Sequence, residues 1–200
     1  MKWLLLSDLQ GVMYQDWLNF MQMDDREWDV IVTLGDIDGL FLKSLNERFK
    51  GKPFLGVLGN HDFKGDLEYY GIQNLHRSPQ IVHGKKVVGV EGCVKYKKEK
   101  DAPLYTQEEV SSFYGELPRC DIVFSHNSPI GIHDKPGIAH EGYRGLKEYI
   151  ENHHPQYVFH GHQHVRSLTI VGTTKVIGIY GGWVWNQMDD TFTQVLPVVE

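Results

Sequence analysis

Short apolar runs recur along this chain, and each stops abruptly at polar residues and glycine. Trp3–Leu6 reads as a buried strand ending at Ser7-Asp8, and Val30–Leu34 as a second ending at Gly35-Asp36. Phe54–Leu58, opened by Pro53, reads as a third ending at Gly59-Asn60-His61-Asp62. Between them, Tyr14–Met23 places Trp17, Phe20 and Met21 at i, i+3 and i+4, and Leu40–Phe49 puts Leu42, Leu45 and Phe49 on one face. Both predict helices, because side chains three and four apart share a helix face. Strands alternating with helices call for a parallel sheet with helices packed on it.

The middle is less regular. Ile81–Val82 and Lys86–Val90 read as a β pair. Glu91–Tyr105 reads as a loop whose Lys95-Tyr96-Lys97-Lys98-Glu99-Lys100 run is a solvated face, with a mobile lid over a site as the sharper alternative. Thr106–Tyr114 predicts a helix, with Thr106 as N-cap and Glu109 completing a capping box. The alternation then resumes with strand Ile122–Phe124 ending at Ser125-His126, helix Tyr143–His153, and strand Tyr157–Phe159 ending at His160-Gly161-His162-Gln163-His164. Val165–Val171 and Lys175–Tyr180, joined by Gly172-Thr173-Thr174, predict a hairpin, and Trp183 and Trp185 read as sheet packing. With no repeat or linker, residues 1–200 are expected to form one α/β domain.

Composition narrows the function classes. Lys+Arg 20 against Asp+Glu 26 gives a formal charge of -6, so there is no global basic surface for nucleic acid, although a local patch stays open. Cys93 and Cys120 form no metal or redox motif and read as small buried hydrophobes in a reducing, cytoplasmic protein. The apolar start at Trp3–Leu6 is too short for a signal sequence, and nothing approaches a membrane span. What stands out in this acidic chain is eleven histidines.

Several of those histidines sit at strand ends, in clusters: Asp8-x-Gln10, Gly35-Asp36, Gly59-Asn60-His61-Asp62, His126 and His162-x-His164. In open α/β sheets the ligand lies beyond the carboxyl ends of the strands, where such loops converge. The side chains form a mixed nitrogen and oxygen donor set without thiolate, suited to Mn, Fe, Zn or similar ions. If Asp8-x-Gln10 and His162-x-His164 are extended, each pair presents two ligands to one side. Seven or eight donors exceed the needs of one small ion and suit two ions sharing a bridging carboxylate, the clamp used for phosphoryl displacement. Each fragment alone has an ordinary reading as a turn or an exposed histidine; their ordered combination does not.

In this order the motifs resemble the calcineurin-like metallophosphoesterase superfamily: Asp-x-His, Gly-Asp, Gly-Asn-His-Asp/Glu, a lone His and Gly-His-x-His. Ser125-His126-Asn127-Ser128-Pro129-Ile130-Gly131 is similar to that family's His-x-Pro-Pro-x-Gly version of the lone-His motif. The resemblance implies two mixed β-sheets packed face to face and flanked by helices, a four-layer α/β/β/α sandwich. It implies one metal held by Asp8, Gln10, Asp36 and His164, and a second by Asp36, Asn60, His126 and His162. It further implies a hydroxide between the ions as nucleophile, and His61, oriented by a carboxylate such as Asp62, as proton donor. Two divalent cations are the expected cofactors, Mn first, with Fe, Zn, Mg or Ni as alternatives.

Two departures matter. Gln10 stands where the commonest pattern has histidine; its carbonyl oxygen is a neutral donor that favours oxygen-tolerant ions such as Mn or Mg. Asp36-Ile37-Asp38-Gly39-Leu40 lacks the Asp-Arg-Gly of protein serine/threonine phosphatases. The expected substrate is a small phosphorylated compound, with nucleotides among the candidates. A phosphodiester or nucleotide pyrophosphate bond is preferred over a monoester, since no arginines cluster at the motifs. The alternatives are a nucleotidase-type monoesterase of the same fold and a catalytically weak metal-binding scaffold. Asp38 reads as a helix cap, His133 and Asp134 as crevice or loop residues, and His140, Arg144 and Arg166 as surface residues that could meet a phosphate.

Overall fold

The apolar runs become strands buried on both faces. In the computed structural model, which describes residues 1–199, β1 (Lys2–Ser7) sends Trp3 and Leu5 to one side and Leu4 and Leu6 to the other, all fully buried. That is why its sequence is continuously apolar rather than alternating. After helix α1 (Tyr14–Met21) come strand β2 (Val30–Thr33), helix α2 (Gly39–Arg48), strand β3 (Phe54–Gly56), helix α3 (Asp66–Tyr69) and strand β4 (Gln73–Asn74). Strands β1 to β4 are parallel neighbours in that order.

The second half repeats the arrangement. Strands β5 (Gln80–Val82) and β6 (Lys85–Val90) form an antiparallel pair, and the short β7 (Cys93–Val94) and β8 (Leu104–Tyr105) make a separate two-stranded ladder. Helix α4 (Gln107–Glu116), strand β9 (Ile122–Ser125), helix α5 (Arg144–His153) and strand β10 (Tyr157–His160) follow, then β11 (Ser167–Val171), β12 (Thr174–Gly178), β13 (Gly181–Asn186) and β14 (Thr191–Leu196). One six-stranded sheet runs β14-β13-β1-β2-β3-β4 and the other β11-β12-β10-β9-β6-β5. Both are mixed: β13 pairs antiparallel to β1, while β6, β9, β10 and β12 are parallel.

The sheets face each other across one apolar layer in which Trp3 meets Phe124 at 6.0 Å and Phe159 meets Trp185 at 4.9 Å between ring centroids. Each large side chain so buried stabilises the fold by roughly 1.5–3 kcal/mol. The outer face of the first sheet is covered by Trp17 and Phe20 of α1 and Leu42 and Leu45 of α2, and that of the second by Val110 and Tyr114 of α4 and Leu146, Tyr149 and Ile150 of α5. Four layers result, as the resemblance implies.

The capping box forms as read: Glu109 N donates to Thr106 Oγ1 at 3.2 Å and Thr106 N to Glu109 Oε2 at 2.8 Å. Other boundaries shift. Helix α1 stops at Met21 and β3 at Gly56. The stretch 91–105 is tied down by the β7·β8 ladder, with Cys93, Ala102 and Leu104 buried together. The C-terminal hairpin β13–β14, of which only the two tryptophans are legible, supplies strands beside β1; Trp185 is fully buried and Trp183 lies under the Arg166 guanidinium at 5.0 Å. Both cysteines are buried and free. No helix among the described residues is long and apolar enough to cross a membrane.

Candidate metal centre

The parallel strands deliver their polar ends to one place. Asp8 follows β1 with φ +53°, in the left-handed region. Its Oδ2 accepts from Ser7 Oγ at 2.6 Å and from His162 N at 2.9 Å. Its Oδ1 is fully buried, lies 3.5 Å from His164 Nε2 and accepts no hydrogen bond among the described residues. Burial alone would raise the Asp8 carboxyl, but His164, His126 and Ser7 together hold it below the ordinary carboxylate value.

Asp36, also left-handed at φ +57°, is buried beside it, and the backbone joins the two motifs through Asp8 N to Gly35 O at 3.1 Å and Leu9 N to Asp36 O at 3.1 Å. Asp36 Oδ1 accepts from His61 N at 2.8 Å. Gly59 is required here, since a Cβ on it would fall 2.0 Å from Asp36 Oδ1.

Asp62 departs from its expected place behind the His61 ring. Its Oδ2 accepts from Gly59 N at 2.7 Å and Asp36 N at 2.9 Å, and no hydrogen bond among the described residues joins it to that ring. The two buried amides need an acceptor more than the exposed imidazole does. Burial, and then the neighbouring Asp36 charge, push the Asp62 carboxyl up to about 7.

His126, following β9, is completely buried. Its Nδ1 donates to the Leu34 carbonyl at 2.7 Å, which leaves Nε2 as the ring nitrogen turned to the site. That nitrogen faces Asn60 Oδ1 at 3.0 Å and Asp36 Oδ2 at 3.6 Å.

His162 and His164 follow β10, but not in extended backbone as the spacing suggests. Their φ angles are +64° and +49°, and Asp8-x-Gln10 likewise continues into a single 3-10 turn, Leu9–Gly11. The pairs are aimed by left-handed turns, which cost about 1–2 kcal/mol per non-glycine residue and persist only where surrounding contacts enforce them. Gly161 provides the room, for a Cβ there would lie 1.9 Å from Ser7 Oγ. His162 Nε2 donates to Ala139 O at 2.6 Å, leaving Nδ1 as the free ring nitrogen, and burial followed by the His126 charge pushes its pKa down to about 3. His164 is half-buried, stacks on Tyr180 at 4.8 Å, and is raised by its contact with Asp8.

One ligand atom each from Asp8, Asp36 and His126 lies within 4.8 Å of the other two. Asn60, His162 and His164 border this group. Gln10 and His61 are exposed and stand at its mouth. His61 separates two clefts. One, of about 220 Å³, is lined by Gln10, Asp36, Asp38, His61, Asp62, Phe63 and Asp66 among others; the second, of about 180 Å³, lies against Asn60, Tyr96, His140, His162 and His164. Tyr96, to whose hydroxyl Asn60 Nδ2 donates at 3.5 Å, had no signal within its lysine run. Gln163, between the two histidines, is completely buried and its Nε2 donates to Asn127 Oδ1, Ser128 Oγ and His140 O.

Of the weaker candidates, Asp38 caps α2 through Leu40 N at 2.8 Å. His133 hydrogen-bonds His160 and Thr169, and Asp134 accepts from Gly142 N. Arg144 pairs with Glu141, and Arg166 lies over Trp183 and Phe192, so neither faces the clefts.

The donors fit cations. A fully buried Asp8 Oδ1 without a hydrogen bond among the described residues, and a His126 Nε2 that converges with Asn60 Oδ1 and Asp36 Oδ2, are an arrangement that a bound cation would satisfy. Asp8, Asp36 and Asn60 offer oxygen, and the histidines nitrogen, a set that suits divalent first-row ions.

A comparison with curated proteins finds no match. Among solved structures, the chain is similar to the TT1561 protein of Thermus thermophilus, with TM-score 0.67, 16% identity, and 100% of this chain and 99% of that one covered. It is also similar to an archaeal phosphodiesterase, with TM-score 0.56, 13% identity and coverage of 98% and 100%. A dimetal phosphatase from Danio rerio matches with TM-score 0.58, 13% identity and coverage of 92% and 91%. At these identities the likeness is one of fold. The sequence model of the calcineurin-like phosphoesterase superfamily domain matches residues 1–196, and the chain therefore belongs to that superfamily.

Proposed function

We propose that this chain, acting as one domain, is a metal-dependent phosphodiesterase for small substrates. Members of its family generally bind a dinuclear metal centre. Here Asp8, Gln10, Asp36 and His164 would hold one divalent cation, and Asp36, Asn60, His126 and His162 the second. When bound, such a pair supplies Lewis-acid charge to phosphoryl oxygens and activates water as nucleophile. The oxygen-rich donors, with Gln10 in place of an imidazole, favour Mn.

The observation that carries the diester reading is the pair of clefts flanking His61, neither lined by a lysine or arginine. A diester has two substituents to place and one negative charge to neutralise, and two clefts without side-chain cations match that demand. A monoester dianion leaves one cleft empty and lacks a further cation. Asp36 orients the His61 backbone through its amide, and the ring at the junction of the clefts is placed to donate a proton to the departing oxygen. A nucleotide or other small diester is the expected substrate class, and an archaeal phosphodiesterase with the same fold is consistent with it.

Purified protein with Mn²⁺ is expected to hydrolyse bis-p-nitrophenyl phosphate with kcat/KM at least tenfold above that for p-nitrophenyl phosphate. The reverse ratio would favour the monoesterase. Absence of turnover on both, with fewer than two ions bound per chain, would instead favour a scaffold.

A further inference from the structure

Two histidines outside the motifs form a chain of hydrogen bonds that ends at the turn carrying His162. His160 is completely buried at the end of β10, and its Nδ1 meets the Gly161 carbonyl at 3.0 Å, so that nitrogen is the donor. Its Nε2 is then an acceptor, and His133 Nδ1 stands 2.9 Å away. With Nδ1 donating, His133 Nε2 accepts from Thr169 Oγ1 on β11, also at 2.9 Å. Only one arrangement of protons satisfies all three contacts with neutral rings.

The far end of this chain is Gly161, held through both its carbonyl and its amide. Gly161 O accepts from His160 and from Gln163 N at 2.7 Å, and Gly161 N donates to His126 O at 3.0 Å. The next residue is His162, held left-handed. The loop that carries His133 also carries Ala139 and His140, whose carbonyls accept from His162 Nε2 and Gln163 Nε2. His133 thus pins both the turn that aims the histidine and the loop that sets its tautomer.

We infer that His133, acting through His160, is a positioning residue that holds His162 ready to ligate a cation. The inference rests on the metal-centre reading above. Groups that orient ligands in this way typically change metal affinity about 10–100-fold when removed.

The test measures Mn²⁺ binding by equilibrium dialysis, and the visible spectrum of the Co²⁺-loaded protein, for wild type, His133→Leu, His133→Gln and Thr169→Val. Leu removes both hydrogen bonds. Gln keeps one N–H donor and one carbonyl acceptor at the same left-handed position, so backbone strain cancels between the two variants. Leu is expected to weaken one of two ions at least tenfold and to alter the Co²⁺ spectrum. Gln should stay within threefold of wild type, and Thr169→Val should fall between. Unchanged binding in His133→Leu, or equal losses in Leu and Gln, overturns the inference. If His133→Leu does not fold, Thr169→Val decides, and wild-type affinity there overturns it. Failure of the wild type to bind two ions overturns the metal-centre reading instead.

Discussion

One oxygen of Asp62 holds the backbone amide of Asp36 at 2.9 Å, and the same oxygen holds Gly59 N at 2.7 Å. One hydrogen bond therefore ties the loop after β2 to the loop after β3 and sets two buried carboxyls side by side, and the burial and Asp36 charge that push Asp62 up to about 7 make its ionisation costly in the metal-free protein. The unfolded chain ionises near 4 and the folded one near 7, so the native state binds more protons between these values and loses stability as pH rises through them. Asp62→Asn keeps an acceptor and removes the charge. The metal-free variant is expected to exceed wild type by on the order of 2–4 kcal/mol at pH 8 in urea unfolding, with the gap closing toward pH 4. Asp62→Ala, which orphans two amides, should lose roughly 1–3 kcal/mol per group. An Asn variant less stable than wild type at pH 8 would overturn this account.

His76 carries an opposite sign. Its Nδ1 accepts from Glu91 N at 3.2 Å, and its ring stacks on Tyr105 at 5.6 Å and meets Phe113 edge-on at 5.5 Å. Burial, then the Arg77 and Lys64 charges, push it down to about 4, against 6.5 for the free side chain. As pH falls below 6.5 the unfolded chain takes the proton first, so stability is lost between about 6.5 and 4. One such group contributes about 1.4 kcal/mol per pH unit in that window, or roughly 3 kcal/mol in all. His76→Phe should flatten the acid limb of urea-unfolding free energy by that slope. An unchanged limb rules out His76 as its source.

These examples also show what could be read from sequence. The double-faced burial of Trp3–Leu6, the Thr106 and Glu109 box and the polar ends of the strands follow from local pattern, and the structure keeps them. The left-handed backbone at Asp8, Asp36, His162 and His164 does not, since L-residues default to negative φ and only packing against Gly59, Gly161 and Ser7 enforces the exception. The reach of Asp62 to backbone amides, the Ala139 carbonyl under His162 and the contact of Tyr96 with Asn60 all cross long stretches of chain. So does the pairing of β13 with β1, in which Leu4 lies opposite Val184.

Gln10 is exposed at the mouth of the centre rather than packed into it, and of the proposed donors it would be the one most open to exchange. An imidazole is a stronger ligand than a neutral carboxamide oxygen for Zn and Fe, while Mn tolerates oxygen. Gln10→His is expected to raise Zn²⁺ affinity relative to Mn²⁺ by about tenfold in competition dialysis, with the apo melting temperature unchanged. An unaltered Zn/Mn ratio would show that Gln10 does not ligate.

His61 offers the sharpest separation of binding from chemistry. Its amide is tied to Asp36, but its ring lies between the two clefts and, among the described residues, makes no hydrogen bond that a ligand set depends on. His61→Asn preserves the backbone contact and removes the proposed proton donor, so kcat on a poor leaving group should fall about 10²–10⁴-fold, the usual weight of general acid catalysis. The defect should shrink as the leaving alcohol becomes more acidic, because a p-nitrophenolate needs little protonation to depart. Mn²⁺ stoichiometry should be unchanged. A loss of equal size on methyl and p-nitrophenyl leaving groups would assign His61 to phosphate binding rather than proton transfer, and a variant that also loses an ion would make it part of the metal centre.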